Sequence, residues 1–552
     1  MLTYTPPHEQ DLPPATEKPW ALLLLCLAWL LPGLLWRQPL KPDETIVADI
    51  VRQLLDGGSL ALPRVAGEPW LERAPLFYWV AAGFAWLGQW LGLAIHDGAR
   101  LASGAFMALA LWGTGLSGRE LIGRRHGRSA VLILIGCAGL LLTGHFLNGD
   151  LVVLAGWCWG IYALALAPRL QLKAAPLLGA AMAVCGLGGS LAEPALLFAL
   201  ALLLAPFPVW RFPRYSLILI IALAISLPLI AAWPLALRKI APAAYQLWYD
   251  AYALGFFGGF NQLQALHPFG FYLQLLPWFA WPAWFLAGAT LWMQRERLMQ
   301  PRFQLPLLAG VLTLTCMVLS NSGRAGYALL LLPPLALIGA VGLDVLRRGA
   351  SAFVNWFGVM TFGILALALW TCWFAMQFGV PSRLNIRIHE LAPSFTYHFS
   401  LGALLLAVGF TAAWLWAVSR RRPMGRQAVT NWAAGITLCW GLAIAIASGW
   451  VDARTSYRDF ASAIAPALPK QGCIASENLH PSQRAVLHYY LGVLTERREL
   501  NPNSQCNWLL RQGGDETLSA PDGWVETWRG GRPGDRNERY YLYRRGIALA
   551  RT

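Results

Sequence analysis

The sequence predicts a mostly α-helical polytopic membrane protein with a small α/β domain at its C-terminus. Of its 552 residues, 57% are hydrophobic and 13% are charged, whereas about 25% are charged in a typical soluble domain. The stretch from Trp20 to Trp36 is uncharged and long enough to cross the roughly 30 Å hydrocarbon core of a bilayer. Many similar stretches follow as far as residue 450, whereas the last region, 451–552, is polar.

Basic residues between the apolar stretches predict the orientation of the chain, because Lys and Arg concentrate in short cytoplasmic loops. The clusters expected to face the cytoplasm lie at 119–128, 169–173, 211–214, 295–302, 347–348 and 420–426. This bias also accounts for the net charge of +15 without nucleic-acid binding. An odd number of spans, about 13, then places the N-terminus in the cytoplasm and the C-terminal region outside. The predicted spans are 20–36, 99–118, 129–146, 151–167, 175–188, 195–208, 215–236, 271–293, 305–320, 326–345, 354–378, 399–418 and 429–450.

The first outer loop, 37–98, is predicted to contain two helices that lie in the membrane interface. Residues 76–95 are apolar, but a span there would turn every later basic cluster outward. Their tryptophans, Trp79, Trp86 and Trp90, share one helical face, and tryptophan favours the interface. Residues 44–56 form a second amphipathic helix.

The two ends of the chain differ from the membrane region. Residues 1–19 are polar and Pro-rich, which predicts a disordered cytoplasmic tail. In the C-terminal domain, 451–552, the pattern predicts strands at 472–476, 508–511 and 540–544 and a helix at 482–492. Cys473 and Cys506 lie in this domain, where an oxidising environment would allow a disulfide. The remaining cysteines lie in apolar stretches.

Two acidic residues, Asp43 and Glu44, follow the first span. Carboxylates beside a bilayer are costly to place and often functional. Asp150 is predicted at the outer end of a later span, on the same side. Asp43 and Glu44 could instead stabilise the helix N-terminus, and Asp150 could simply be solvated. Because all three acids are predicted on the same side of the bilayer, we favour an active site at its outer surface.

Three more charged residues and a histidine are predicted on that side. Arg73 and Arg324 could bind a phosphate, because a guanidinium group donates two parallel hydrogen bonds. Alternatively, Arg73 could form an interfacial ion pair with Glu72, and Arg324 could extend from the membrane to the interface. Glu72 and His267 are candidate ligands of a divalent metal, although a lone loop histidine is usually not a ligand. The sequence has no P-loop, zinc spacing or dinucleotide fingerprint.

Taken together and in order, these segments resemble the integral-membrane glycosyltransferases that use polyprenyl-phosphate sugars. The subfamily with the best match transfers 4-amino-4-deoxy-L-arabinose to lipid A, and protein O-mannosyltransferases are related to it. The matching segments are Pro42–Arg52, Gly67–Trp79, Asp150, His267–Trp278 and Arg324–Pro334, the last including Tyr327. The resemblance implies the GT-C fold for the membrane region, 20–450.

The chain departs from the family pattern at three positions. Arg73 replaces a lysine and Ala74 replaces a proline. Where the family commonly has Thr-Lys-Gly-Pro, this chain has Leu191-Ala-Glu193-Pro194. A cation has thus become an anion near the expected site, so the donor or the acceptor could differ.

The resemblance implies transfer of a sugar from undecaprenyl phosphate to a lipid A-like or other envelope acceptor, on the periplasmic side of a bacterial inner membrane. Arg73 and Arg324 would hold the donor phosphate. Asp43 would orient or deprotonate the acceptor, with Glu44 and Asp150 as the other catalytic acids. Glu72, Tyr327 and His267 would position substrate.

The alternatives are transfer to a protein, O-antigen or other glycan, an inactive structural relative, and a transporter of lipid-linked sugars. A transporter would favour charges at the bilayer midplane, whereas these cluster at one surface.

Overall fold

The computed structural model describes residues 20–263, 268–344, 348–420, 424–514, 520–532 and 538–546. The predicted N-terminal tail, 1–19, and His267 lie outside the described residues.

Helices dominate the chain as far as Thr455, because backbone groups within a bilayer must be hydrogen-bonded inside the protein. In chain order they are α1 Trp20–Leu30, α2 Asp43–Leu55, α3 Leu76–Trp90, α4 Ile95–Leu121, α5 Arg124–Ile135, α6 Ala138–Thr143, α7 Asp150–Leu166, α8 Gln171–Gly188, α9 Ala192–Leu204, α10 Tyr215–Ile240, α11 Pro242–Ala251, α12 Phe269–Phe279, α13 Ala283–Met293, α14 Pro301–Val318, α15 Ala325–Ala328, α16 Leu332–Gly342, α17 Arg348–Phe378, α18 Ser382–Leu391, α19 Leu401–Ser419, α20 Met424–Leu442 and α21 Ser448–Thr455. Among the described residues, eight helical stretches are long and apolar enough to cross a membrane, and four shorter apolar helices accompany them.

Each predicted span overlaps a helix, although the span predicted at 20–36 is helical only over Trp20–Leu30, and two others are interrupted by a break between two helices. The segment predicted at 129–146 divides between α5 and α6, and the segment predicted at 271–293 divides between α12 and α13. The second break falls at Pro282, which has no N–H to continue the helical hydrogen bonds. Helices α11 and α18 were not predicted; each begins at or directly after a proline, Pro242 or Pro381.

Helix α7 lies at the centre of the bundle and is buried along nearly all of its length. Glycines allow its neighbours to approach closely, as is typical of membrane helices. A Cβ atom on Gly113 of α4 would lie 3.2 Å from Cys158 of α7, and one on Gly156 would lie 2.7 Å from Cys185 Sγ of α8. This packing fixes the N-terminal end of α7, where Asp150 begins the helix.

The first loop contains the two predicted interfacial helices, α2 and α3, joined through the short strands β1 Arg64–Val65 and β2 Glu68–Pro69. On α3 the side chains of Trp86 and Trp90 are 53% and 78% exposed. That exposure fits a helix that presents aromatic rings to the membrane interface.

A small mixed sheet forms the C-terminal region. After α22 (Arg458–Ile464), the remaining elements are β3 Ile474–Glu477, α23 Pro481–Leu491, β4 Thr495–Arg497, β5 Trp508–Gly513, β6 Trp524–Gly531 and β7 Arg539–Arg545. The strand order is β4-β3-β5-β7-β6, with β3 parallel to both of its neighbours. Strands β4 and β6 were not predicted. Cys473 and Cys506 form a disulfide in this structure.

Helix α23 of the C-terminal region packs against α2 of the first loop. His488 Nδ1 lies 2.5 Å from Asp49 Oδ1, and Arg52 Nη1 donates to the carbonyl oxygen of His488 at 2.9 Å. Arg484 pairs with Glu68 at 2.8 Å. Helix α2 is therefore held between the membrane helices and α23, and this fixes the position of its first residue, Asp43.

Candidate active site

Asp43 is the first residue of α2, and its side chain is exposed. Within the part of the chain that the structure describes, its carboxylate has no hydrogen-bond or ion-pair partner. Partial desolvation raises the pKa of Asp43, and the nearby carboxylates of Asp150 and Glu72 raise it further, while Arg324 and Arg73 oppose them. Asp43 thus has an open carboxylate, meaning one that is exposed and unpaired among the described residues, and it lies among four charged side chains. Its perturbed pKa is typical of functional sites.

Arg73 and Asp150 form an ion pair beside Asp43. Two glycines make room for it. A Cβ atom on Gly326 would lie 2.0 Å from Asp150 Oδ2, and one on Gly149 would lie 3.3 Å from Arg73 Cδ. The pair therefore joins the first loop, the start of α7 and the segment that follows Arg324.

Arg324 and Glu72 form a second ion pair, with Arg324 Nη2 3.0 Å from Glu72 Oε2. The hydroxyl of Tyr272, on α12, accepts from the Arg324 backbone N–H at 3.4 Å. Tyr327 is buried, and its ring stacks on Phe256 with centroids 4.1 Å apart. Residues from all five of the matching sequence segments thus meet at one end of the bundle.

Glu44 was predicted as a catalytic acid together with Asp43, and the structure buries its side chain. Its carboxylate is buried and accepts hydrogen bonds from Arg100 Nε at 2.8 Å, from Arg37 Nη2 at 3.3 Å, and from the backbone N–H groups of Leu40 and Leu147. Burial alone would raise the pKa of Glu44, but Arg100 and Arg37 hold it at about 2. Glu44 therefore fixes the start of α2.

Arg37 and Arg100 were missed by the sequence reasoning. Arg100 lies inside α4 and is fully buried, and it also binds Asp97 at 3.0 Å. An arginine within an apolar span is the signal that could have identified it, because such a charge needs a buried partner.

Ala74 and Glu193, two positions at which the chain departs from the family pattern, lie close together. The Ala74 N–H donates to the carbonyl oxygen of Gly189 at 3.0 Å, a bond that the family's proline could not make. In the same turn, Ser190 donates from its N–H at 2.7 Å and from its hydroxyl at 2.5 Å to Glu193 Oε2. Burial alone would lower the pKa of Arg73, but the carboxylate of Asp150 raises it. The buried carboxylate of Glu193 adds a smaller effect in the same direction.

The structure describes one of the two predicted metal ligands, Glu72. Glu72 is engaged by Arg324, and His267 lies outside the described residues. The one described group with three closely spaced ligand atoms is Cys473, Glu496 and Cys506, but its sulfurs form the disulfide.

The chain is similar to curated proteins named undecaprenyl phosphate-α-4-amino-4-deoxy-L-arabinose arabinosyl transferase. It is 28% identical over 371 residues to the protein from Pseudomonas savastanoi pv. phaseolicola and 30% identical over 382 residues to one from Pseudomonas fluorescens, each over 63% of this chain. The aligned segments span just under two thirds of these relatives' own lengths, 66% and 65%. A relative from Pseudomonas aeruginosa is 29% identical over 77% of this chain and 74% of its own length.

The fold is that of a solved structure, ArnT from Cupriavidus metallidurans bound to undecaprenyl phosphate. The TM-score is 0.66 at 17% identity, over 96% of this chain and 98% of the other. The same protein in the apo state gives a TM-score of 0.62 at 18% identity, over 95% and 97% of the two chains. No family model matches the chain. The fold and the curated relatives confirm the predicted resemblance: this chain is a polytopic membrane protein similar to the arabinosyl transferase group of integral-membrane glycosyltransferases.

Proposed function

We propose that this protein is a glycosyltransferase that moves a sugar from undecaprenyl phosphate to a lipid A-like acceptor. The curated relatives are named as arabinosyl transferases that use an undecaprenyl phosphate-linked sugar, and the solved structure with the same fold has undecaprenyl phosphate bound. The observation that carries the proposal is the arrangement of the open Asp43 carboxylate beside two arginine–carboxylate pairs.

In this proposal, Arg73 and Arg324 bind the donor phosphate. Each is already paired with a carboxylate, but a guanidinium group has five N–H donors and can bind a second anion. When the bond between the sugar C1 and the phosphate oxygen breaks, the bonding electrons stay on that oxygen. The two cationic groups stabilise this growing charge, so the leaving group needs no general acid.

Asp43 acts on the acceptor. An acceptor hydroxyl oxygen attacks C1 from the face opposite the phosphate and loses its proton to the Asp43 carboxylate, which inverts the anomeric centre. An acceptor phosphate is already ionised at neutral pH and needs only to be oriented. Asp150 holds Arg73 and Glu72 holds Arg324. Tyr327 lies three residues after Arg324, in the same segment of the site. Glu44 takes a positioning role, because its buried pairs fix the first turn of α2.

The proposal includes the orientation of the chain. Thirteen spans, with the first-loop helices in the outer interface, would place the N-terminus in the cytoplasm and residues 451–552 in the periplasm. The arginine-rich loops support this orientation through the positive-inside rule. The disulfide in the C-terminal region supports it as well, because disulfides persist in the periplasm. The membrane would be the bacterial inner membrane.

The Ala74–Gly189 and Ser190–Glu193 contacts bear on which sugar or acceptor is used. They put an anion in a turn beside Arg73 where the family commonly has a cation. We therefore propose the reaction class for this chain without assigning it aminoarabinose as the sugar.

The test is transfer by the purified full chain in liposomes, with undecaprenyl-phosphate sugars carrying a radiolabel in the sugar and lipid A as acceptor. The proposal predicts label on lipid A and release of undecaprenyl phosphate in equal amounts. If the label stays on the donor, or crosses the bilayer still attached to it, the protein is not a transferase of this class.

A further inference from the structure

A tight turn that follows α11 presents an aromatic ring at the edge of the candidate active site. Two glycines allow the turn to pack on the end of this helix. Gly258 has a φ of +90°, which a side chain would disfavour, and a Cβ atom on Gly259 would overlap the carbonyl oxygen of Asp250. The Phe260 N–H donates to the carbonyl oxygen of Tyr249 at 2.9 Å. The backbone therefore fixes Phe260 beside the last turn of α11.

The ring of Phe260 has one covered face and one open face. It stacks on the ring of Tyr249, with centroids 4.6 Å apart and planes 22° apart, and Tyr249 continues the stack to Tyr245 at 6.2 Å. In the part of the chain that the structure describes, Tyr249 is the one aromatic ring in contact with Phe260. Phe260 is nevertheless 41% exposed, so its second face is available to a ligand.

Polar side chains lie beside this ring. Asp250 Oδ1 accepts hydrogen bonds from Asn261 Nδ2 at 2.6 Å and from Gln246 Nε2 at 2.8 Å. Asp250 Oδ2 has no hydrogen-bond partner among the described residues, and it is not a buried atom. Asn261 and Gln246 are themselves exposed. The two amides therefore orient the carboxylate and leave one of its oxygens free to accept a hydrogen bond from a ligand.

A hydrogen bond and nearby charges connect the segment before this turn to the candidate active site. The N–H of Asn321, three residues before Arg324, donates to the carbonyl oxygen of Phe256 at 2.8 Å. Burial raises the pKa of Tyr252, and Glu72 raises it further, whereas Arg324 lowers it. The hydroxyl of Tyr252 therefore lies near the Arg324–Glu72 pair, and the turn that carries Phe260 borders the site.

This combination of groups matches the two sides of a sugar ring. A pyranose ring has faces formed by C–H bonds, which pack on an aromatic ring, and a rim of hydroxyl groups, which bond to carboxylate and amide side chains. Small-molecule sites typically join an apolar surface to a few placed polar groups. If Phe260 only contacted lipid, the free carboxylate oxygen of Asp250 would lie against hydrocarbon, which is costly.

We propose that Phe260, Asp250 and Asn261 form a subsite for a sugar ring of the acceptor. Phe260 would stack on the C–H face, the free Asp250 oxygen would accept from one ring hydroxyl, and the amide of Asn261 would bond to another. The donor sugar must lie at Asp43, because its C1 reacts there, whereas Phe260 lies at the exposed edge of the site. A sugar ring that reaches Phe260 therefore belongs to the acceptor. This assignment rests on the proposed function.

Binding of deacylated lipid A to the purified full chain in nanodiscs tests the subsite. This probe keeps both sugar rings of lipid A, and it is water-soluble, so contact with the bilayer does not contribute to its affinity. Phe260→Leu keeps an apolar side chain and removes the aromatic face, Phe260→Tyr keeps the ring, and Asp250→Asn removes the carboxylate charge. The control is Leu247→Ala, at an exposed position on α11.

We expect Phe260→Leu and Asp250→Asn each to weaken binding of the probe at least about fivefold, and Phe260→Tyr and Leu247→Ala to stay within about twofold of wild type. Affinity for undecaprenyl phosphate should be the same in all four variants. Wild-type affinity of Phe260→Leu or of Asp250→Asn for the probe would overturn the proposal, because the ring face or the carboxylate would then not contact a sugar. A loss of undecaprenyl phosphate affinity in these two variants would overturn it too, since the donor site itself would then be distorted.

The titrations need no turnover, so a failure of the subsite is distinguishable from a failure of the proposed reaction. If the wild-type chain binds the probe with the expected variant pattern but transfers no label to lipid A, the subsite stands and the proposed reaction fails. If label is transferred but the wild-type chain does not bind the probe, or Phe260→Leu binds it normally, the subsite fails and the reaction stands.

Discussion

Arg324 Nη2 donates a hydrogen bond to Glu72 Oε2 at 3.0 Å, although 252 positions separate the two residues in the sequence. With the Arg73–Asp150 pair, it places two neutralised guanidinium groups beside the open carboxylate of Asp43. An anionic donor would add negative charge to a site that already has one unpaired acid. Both arginines are therefore expected to matter for donor binding.

Arg324→Ala should weaken binding of undecaprenyl phosphate by about tenfold or more, because a hydrogen bond to a charged group contributes about 1.5–3 kcal/mol. The matched control is Arg387→Ala, since Arg387 also pairs with a glutamate at 3.0 Å. Titration of the purified variants with undecaprenyl phosphate measures the effect. Equal affinity in the two variants would show that Arg324 does not bind the phosphate.

Gly326→Ala should lower the transfer rate, because the new Cβ atom would lie 2.0 Å from Asp150 Oδ2 and would displace the Asp150–Arg73 pair. The control is Gly288→Ala, where no atom lies within 4 Å of the added Cβ. We expect at least about a tenfold loss of kcat/KM for Gly326→Ala, since small displacements in an active site are costly. A normal rate would mean that this contact does not position the site.

Glu44→Gln should destabilise the fold rather than remove chemistry. The variant leaves Arg100 and Arg37 without their buried anion, and breaking such a pair costs about 3–5 kcal/mol. The apparent Tm of the purified protein should fall, whereas Glu390→Gln, at an exposed pair, should leave it unchanged. A normal Tm combined with complete loss of turnover would return Glu44 to the catalytic residues.

The transfer rate should fall at low pH with an apparent pKa above that of an ordinary aspartate. The base is the ionised form of Asp43, and its pKa is raised by desolvation and by Asp150 and Glu72. The rate with a hydroxyl acceptor should therefore fall as the pH drops through a value above about 3.9. A profile of kcat/KM against pH, with an ionised phosphate acceptor as the comparison, checks this. The same acidic limb with both acceptors would contradict the role of Asp43 as base.

Much of this architecture could be predicted from local patterns. Helix lengths and apolar composition located the membrane helices, and the arginine-rich loops placed Asp43, Asp150, Arg73 and Arg324 on one surface. Each of these signals depends on residues close together in the sequence. The segments of the predicted site then met in the structure, as their shared side implied.

Long-range partners could not be predicted in this way. Asp43 and Glu44 are neighbours in sequence, but successive residues on a helix point about 100° apart, so one faces the site and the other faces Arg100. The parallel pairing of β4 with β3 depends on the fold of the whole domain. The bond between Ala74 and Gly189 likewise joins two loops that no local pattern connects.

The most direct measurement is turnover of the Asp43→Asn variant with labelled undecaprenyl-phosphate sugar. Asp56→Asn, at the other end of α2, is the matched control. With a hydroxyl acceptor we expect Asp43→Asn to lose at least about 10²-fold in kcat with unchanged donor affinity, and Asp56→Asn to behave as wild type. With a phosphate acceptor some transfer should remain. Wild-type turnover by Asp43→Asn with both acceptors would contradict the account.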